Sequence, residues 1–359
     1  MLLSTLIPQL GAISTDGPTD RTIDRVTYDS RDARPADVFV AIRGERVDAR
    51  QFVPDLDVAA VIADGPVSAR EGVTVIMVPN ARVALATAAS LLEGNPSHTM
   101  PVVGITGTNG KTTVTWMLES IIAASGGTSG VIGTTGHRIA GESIPATHTT
   151  PESPVMQGLL GQMKRAGCAA GLMEVSSIGI VMHRADAIPF RVAVFTSFSR
   201  DHLDFHSSME SYLAAKARLF EDLLAPDGVA VLNADEPACE SIEPGTRTKI
   251  TYGLGPTAMV RAVDLNSSVA GTHFSIVAPT GTHTVNLRLM GTHNVSNALA
   301  AFAAAHALGI HSAAIVTGLN QLASIPGRLE LVPNTRGLHV LVDYAHTPEA
   351  LRSVLRFLR

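Results

Sequence analysis

Apolar runs of five or six residues alternate with polar turns through the first part of the chain. Residues 38–42 (VFVAI), 58–62 (VAAVI) and 73–78 (VTVIMV) predict buried strands, and the Ala-rich stretch 82–92 predicts a helix. Together they predict a small α/β domain over residues 1–97, ending in the turn-rich segment EGNPSH. From Met100 the pattern becomes strand followed by helix. Strands are predicted at 102–106, 169–175, 191–198 and 228–233, and helices at 111–125, 152–166 and 207–224. That order belongs to a mostly parallel sheet covered by helices. Short alternating runs with Gly-Thr turns between 247 and 290 predict a small antiparallel sheet, and helices follow at 293–308 and 312–323. A last strand, 338–342, leads into a helix starting near Pro348. A lone strand and helix cannot bury their apolar faces, so residues 336–359 read as the opening of a truncated third domain behind a central domain of 98–335.

The densest chemistry lies where the strand at 102–106 ends. Residues 102–113 read VVGITGTNGKTT, an apolar strand running into a glycine turn that opens a helix. The backbone amides of Gly107, Thr108, Asn109 and Gly110, with the positive end of the helix through Thr113, can face a polyphosphate. Lys111 adds a mobile cation, and the Thr112 hydroxyl can ligate Mg²⁺. A nucleoside triphosphate is the expected ligand. The turn is tighter than the usual G-x-x-x-x-G-K-[ST], with Ile105 standing where the first glycine would be.

Composition narrows the class. A chain of 359 residues, 45% hydrophobic, exceeds one comfortable core and suits two or three domains. A net charge of −5 with no basic block argues against a nucleic-acid surface. The two cysteines, Cys168 and Cys239, have no metal-ligand spacing and fit a reducing compartment. No signal peptide is evident in MLLSTLIPQLG and no apolar run reaches membrane-spanning length, so a cytoplasmic enzyme is expected.

Further polar residues fall at strand ends, where ligands gather in such sheets. Glu174 closes an apolar strand and stands where a Mg²⁺ ligand belongs. SRDHLDFH at 199–206 offers metal or phosphate contacts, or forms a hydrogen-bonded loop. Lys216 falls in the apolar stripe Met209, Tyr212, Leu213, Leu219, Phe220 and Leu223 of the predicted helix 207–224. An ammonium there must snorkel out, pair, lose its proton or be chemically changed. Asn294 and Asn297 share a helix face and can bond a base or cap the helix. PGRLE at 326–330 and DYAHTP at 343–348 are turn clusters.

In order, YDSR (28–31), TGTNGKTT (106–113), TTPE (149–152), EVSS (174–177), HR (183–184), SRDHLDFH (199–206), YLAAKARLF (212–220), NADE (233–236), GTHNVSNALAA (291–301), PGRLE (326–330) and DYAHTPEAL (343–351) resemble the Mur ligase family, nearest its MurE type. The resemblance covers nearly the whole chain. It implies an ATP-dependent amide ligase of peptidoglycan precursor synthesis. A diamino acid, meso-diaminopimelate or L-lysine, is joined to UDP-MurNAc-L-Ala-D-Glu through an acyl phosphate. It also implies two Mg²⁺ ions, a CO₂-derived carbamate on Lys216, a monomer, and a Rossmann-like fold for the third domain. By the same resemblance Lys111, Glu174, His202 and Lys216 are catalytic, and Thr112, Glu174, His202 and carbamylated Lys216 are metal ligands or their support. Asn294, Arg328 and Asp343 match adenine, phosphate and ribose contacts. Ser30 and the turn 44–47 match uridine-nucleotide contacts, while Thr149, Thr150, Ser176 and Arg184 match muramoyl-dipeptide contacts.

This chain departs from the family pattern at Ile178, Met182, Pro35-Ala36-Asp37 and Asp48-Ala49-Arg50. With most of the third domain absent, low activity of the isolated chain is expected. The competing readings are a folylpolyglutamate synthase-like ligase, a metallohydrolase built on residues 201–206, and a non-catalytic nucleotide-binding remnant or fragment.

Overall fold

The structure, a computed structural model, describes residues 1–44, 47–268, 271–338 and 340–358. The chain divides into two compact units. One comprises Met1–Thr99 with two later segments, Pro151–Lys164 and Gly179–Ile188; the other holds Met100–Thr150, Arg165–Ile178 and Pro189–Arg359.

The first unit is built on a five-stranded sheet in the order Ser14–Asp16, Thr74–Met77, Ala60–Ala63, Asp37–Ala41, Arg25–Thr27. Only the Ser14–Asp16 edge is antiparallel; the other pairings are parallel. Helix Ala81–Leu92 starts at Asn80, whose side-chain oxygen accepts the N–H groups of Arg82 and Val83 at 2.9 and 3.2 Å. Such a cap contributes about 1 kcal/mol. The helix buries Ala81, Ala84, Leu85 and Ala88 against Val38, Val40 and Ile76.

The second unit carries an eleven-stranded sheet. At its centre strand Val102–Thr106 lies between Ala170–Glu174 and Phe190–Phe195, all parallel and fully or almost fully buried. Burial on both faces explains why these strands read as continuous apolar runs. Helix Lys111–Ala124 presents Val114, Met117, Leu118, Ile121 and Ile122 at helical spacing to the core shared with helices Thr292–Ala307 and Ser312–Gln321. Truncating any of these large aliphatics to alanine costs about 2–5 kcal/mol.

An α/β fold with a parallel-dominated sheet and a smaller sheet is therefore observed, with local differences. The expected helix 207–224 runs Met209–Glu221, opened by a reciprocal Ser208–Ser211 cap, because Leu224 already pairs with Phe190 in a strand. Antiparallel pairing is observed, as expected between 247 and 290, from Val260–Ser268 to Gly271–Ala278 and on to Gly281–Leu287, but these strands do not form a sheet of their own. Strand Thr248–Gly253 pairs parallel to Leu224–Asn233, and strands Val260–Ser268, Gly271–Ala278 and Gly281–Leu287 extend the same sheet to its edge. Strand Val340–Val342 pairs with Glu330–Val332. Among the described residues no helix is long and apolar enough to cross a membrane.

Candidate nucleotide site

The glycine turn after Val102–Thr106 is stitched to the loop after Phe190–Phe195. Thr108 and Asn109 donate their backbone N–H groups to the Ser197 carbonyl and hydroxyl at 2.7 and 3.0 Å, and Thr196 Oγ1 donates to the Asn109 carbonyl at 2.5 Å. Only glycine fits at two places. Gly107 has φ +139°, and a Cβ there would stand 2.0 Å from Thr196 Oγ1; Gly110 has φ +91°, and a Cβ there would stand 2.5 Å from Asn297 Oδ1. The amides that open the helix, Lys111, Thr112 and Thr113, have no intrahelical acceptor and are left to face an anion.

Lys111 folds back over the turn and donates to the Gly107 and Thr108 carbonyls at 2.8 and 2.9 Å. Burial pushes its amine below the ordinary lysine value, against the pull of Glu174. Glu174 ends the neighbouring strand and is itself buried. One of its oxygens accepts the Thr112 and Thr134 hydroxyls at 3.0 and 2.9 Å, and the other accepts the Thr134 N–H at 3.0 Å. Arg328 reaches the same point, donating to Thr112 Oγ1 at 3.1 Å.

Helix Met209–Glu221 brings Lys216 into the interior, 2% exposed, so it does not snorkel. Among the described residues its Nζ has no hydrogen-bond or ion-pair partner. It sits 4.4 Å from the centre of the Tyr212 ring, and burial first, then the nearby Lys111, pushes its pKa well below the ordinary value. Loss of the proton or chemical change remain as the ways to tolerate it. Ser199 Oγ, also buried, has no hydrogen-bond partner among the described residues.

The other expected site residues are placed as follows. His202, with φ +49°, is exposed and held 3.5 Å from Asp201, its ring edge-on to Tyr212. Thr150 donates to the Glu174 carbonyl at 2.9 Å and accepts the Ser176 N–H at 3.0 Å, while Thr149 lies 2.9 Å from the Thr134 hydroxyl. Asn294 donates to the Met290 carbonyl at 2.7 Å and accepts from Asn297 at 3.1 Å, so both amides serve the helix start and its fit against the glycine turn. Asp343 accepts the N–H groups of Leu329 and Ala345, each at 2.8 Å. Ser30 opens a short 3₁₀ turn in the first unit, where Arg184 also lies, bonded to Glu152 at 2.9 Å. Within the turn 44–47, Glu45 and Arg46 lie outside the described residues.

His206, read in the sequence only as part of the 199–206 cluster, has its Nε2 2.9 Å from Ser177 Oγ in the interior, a pairing the sequence did not indicate; burial, then Lys216, depresses its pKa. The hydroxyl of Thr134 on Glu174 is a contact that sequence reasoning missed. Neither has a spacing signal, because the partners are 29 and 40 residues apart.

A phosphate turn between a buried parallel strand and a helix, with a carboxylate at the next strand's tip, defines a nucleotide-binding α/β protein of the phosphate-loop class. The Mur ligase middle domain matches residues 105–305. The UDP-N-acetylmuramoyl-L-alanyl-D-glutamate–2,6-diaminopimelate ligase of Geobacter metallireducens is 41% identical over 99% of this chain and 71% of its own length. The ligase of the same name from Geobacter sulfurreducens is 40% identical over 99% and 72%. A solved structure of a ligase of that name matches with a TM-score of 0.85 at 28% identity, covering 100% of this chain and 74% of that one. The chain belongs to the Mur ligase family.

Among the described residues no three His, Cys, Asp or Glu side chains form a group that could hold a metal.

Proposed function

We propose that this protein is the ATP-dependent ligase that joins a diamino acid to UDP-MurNAc-L-Ala-D-Glu, acting as a cytoplasmic monomer. The observation that carries the substrate is the reach of the similarity: relatives named for this reaction match 99% of the chain, the first unit included, and not the phosphate-loop domain alone. Their names carry 2,6-diaminopimelate, which makes it the favoured amine.

The γ-phosphoryl group of ATP passes to the glutamate carboxylate, forming a P–O bond as the β–γ bridge breaks and ADP leaves. The amine then attacks the acyl carbon; a C–N bond forms, the C–O bond to phosphate breaks, and the amine proton goes to solvent. Lys111 must leave the Gly107 and Thr108 carbonyls to meet the β- and γ-phosphates, while the amides of Lys111–Thr113 hold them. Arg328 is assigned to the phosphates, where it would stabilise charge on the transferred group; its bond to Thr112 beside the phosphate turn supports that role. Asn294 and Asp343 are assigned to the adenine and ribose, and Ser30, Thr149, Thr150, Ser176 and Arg184 to the nucleotide-linked dipeptide.

A hard dication fits the donors present. Glu174 and Thr112 offer a carboxylate and a hydroxyl 3.0 Å apart beside the phosphate turn, an incomplete cage of the kind Mg²⁺ shares with substrate phosphates. Lys216, with its cation disfavoured by burial, can take up CO₂ as a carbamate, losing an N–H proton and becoming an oxygen ligand in support of a second ion; His202 is assigned to the same support. Bound Mg²⁺ supplies charge neutralisation during phosphoryl transfer.

The test is ligand-induced stabilisation. UDP-MurNAc-L-Ala-D-Glu raises the melting temperature and a folate does not; stabilisation by the folate alone would overturn the assignment in favour of a folylpolyglutamate synthase-like ligase.

A further inference from the structure

An exposed turn of the second unit grips the buried carboxylate of Glu174. Residues 133–136 join strands Ser129–Ile132 and His137–Ile139, which pair antiparallel. Thr134, at the turn, is exposed, yet its N–H donates to Glu174 Oε1 at 3.0 Å and its hydroxyl donates to Oε2 at 2.9 Å. The backbone comes so close that a Cβ on Gly133 would stand 2.4 Å from Oε1. The helix that opens at the phosphate site, Lys111–Ala124, braces this turn. Trp116 Nε1 donates to the Thr135 hydroxyl at 3.2 Å, and the guanidinium of Arg138, bonded to Glu119 at 2.7 Å, lies 3.9 Å from the centre of the Trp116 ring.

We propose that Thr134 is a positioning residue for Glu174, fixing the orientation in which that carboxylate meets Mg²⁺, an inference that rests on the function proposed above. A bond to one oxygen leaves a carboxylate free to turn about its last torsion, which has no sharp preference of its own; a bond to each oxygen from one residue sets its plane. Among the described residues Oε1 accepts only the Thr134 N–H, which leaves it a lone pair for a cation. The protons are sorted as well. A carboxylate only accepts, so the Thr112 and Thr134 hydroxyls both point their single proton at Oε2. Thr134 therefore accepts from the Thr149 hydroxyl, 2.9 Å away, and Thr112 accepts from Arg328. Thr112, Arg328 and Thr149 are each assigned to a ligand of their own, so Thr134 is the donor left to hold Glu174. A threonine that buries little adds little to the core, and its effect falls on the carboxylate.

The experiment titrates Mg²⁺ against the full chain and a fixed non-hydrolysable ATP analogue by calorimetry, below the lowest melting temperature of the set. The set is wild type, Thr134→Val, Thr134→Ser, Glu174→Gln and the double variant Thr134→Val with Glu174→Gln. Valine keeps the shape and the backbone N–H and removes the hydroxyl; serine keeps the hydroxyl. Thr134→Val should raise the Mg²⁺ midpoint about tenfold or more, and Thr134→Ser should restore most of the loss. The valine should add little once residue 174 is glutamine, because both changes act on one contact. An unmoved midpoint in Thr134→Val overturns the proposal, whatever its melting temperature, and a lowered melting temperature beside it marks a purely structural turn. A midpoint in Thr134→Ser shifted as far as in Thr134→Val, or a full valine effect on top of Glu174→Gln, overturns it too. Analogue binding that ignores Mg²⁺ in wild type would instead sink the metal reading on which the proposal rests, and it shows without any mutation. Should Thr134→Val melt early, Thr134→Ala takes its place and the same outcomes decide.

Discussion

Tyr212 stands between Lys216 and the phosphate turn. The Lys216 Nζ lies 4.4 Å from the centre of its ring, and its hydroxyl lies 3.2 Å from Thr108 Oγ1. Burial pushes the Tyr212 pKa up to about 12, so the phenol stays neutral and offers a hydrogen bond to the turn rather than a counter-charge to the lysine. The face of a tyrosine ring attracts an ammonium by only about 0.5–2 kcal/mol, too little to offset full desolvation. This imbalance is the physical basis for reading Lys216 as a site of chemistry.

The first prediction concerns stability and pH. The folded-state pKa of Lys216 lies well below 10.5, so the unfolded chain binds a proton that the folded chain does not. Stability from this group is complete above the ordinary lysine value and is lost as pH falls through the window below it, about 1.4 kcal/mol for each unit of depression. Lys216→Met should therefore be more stable than wild type at neutral pH in CO₂-free buffer, with the gap closing toward pH 10.5. Chemical denaturation across that range measures it; a gap that stays constant or widens with pH would contradict the assignment.

The second prediction concerns the carbamate. Labelled bicarbonate should give a carbamate carbon signal in wild type that is absent in Lys216→Ala. That variant should lose phosphoryl transfer by about a thousandfold, as expected when charge stabilisation in a transition state is removed. Formate, a small carboxylate, should restore part of the ADP release. A fully active Lys216→Ala variant would remove the group from the mechanism.

Gly107→Ala tests the turn. The added carbon would meet Thr196 Oγ1 at 2.0 Å in a backbone conformation that disfavours any side chain. A cost of about 1–3 kcal/mol in stability is expected, together with loss of ATP binding. Calorimetry with a non-hydrolysable ATP analogue checks the second, and wild-type affinity would show that the turn does not hold the phosphates.

Much of this was legible in the chain, and for a reason. The central strands are buried on both faces and so read as unbroken apolar runs, and the phosphate turn needs glycines and a lysine at adjacent positions. Lys216 was conspicuous because it interrupts an apolar stripe, and its burial bears that out. The antiparallel strands after Val260 are legible in their alternating polarity, whereas the parallel pairing of Thr248–Gly253 and the continuity with the large sheet are not, because alternation does not tell a strand which neighbour it has. The grouping of 151–164 and 179–188 with the first unit had no signal either, since it depends on contacts such as Arg82 with Glu152 that no spacing rule contains.

Glu174→Gln separates metal from fold. The amide keeps an acceptor oxygen for Thr134, so stability should fall by only about 1–2 kcal/mol, yet the Mg²⁺ dependence of ATP binding should weaken by about tenfold or more. Titrating Mg²⁺ at fixed nucleotide reads this directly, and an unaltered Mg²⁺ midpoint would remove Glu174 from the metal site.

The most direct measurement follows oxygen. UDP-MurNAc-L-Ala-D-Glu labelled with oxygen-18 in its reacting carboxylate is incubated with the protein, ATP, Mg²⁺ and diaminopimelate, and the released phosphate is analysed by mass spectrometry. Activation of the acid as an acyl phosphate predicts that one labelled oxygen enters the phosphate for each amide formed. Amide formation with unlabelled phosphate, or ATP hydrolysis that proceeds equally without the dipeptide, would contradict the account.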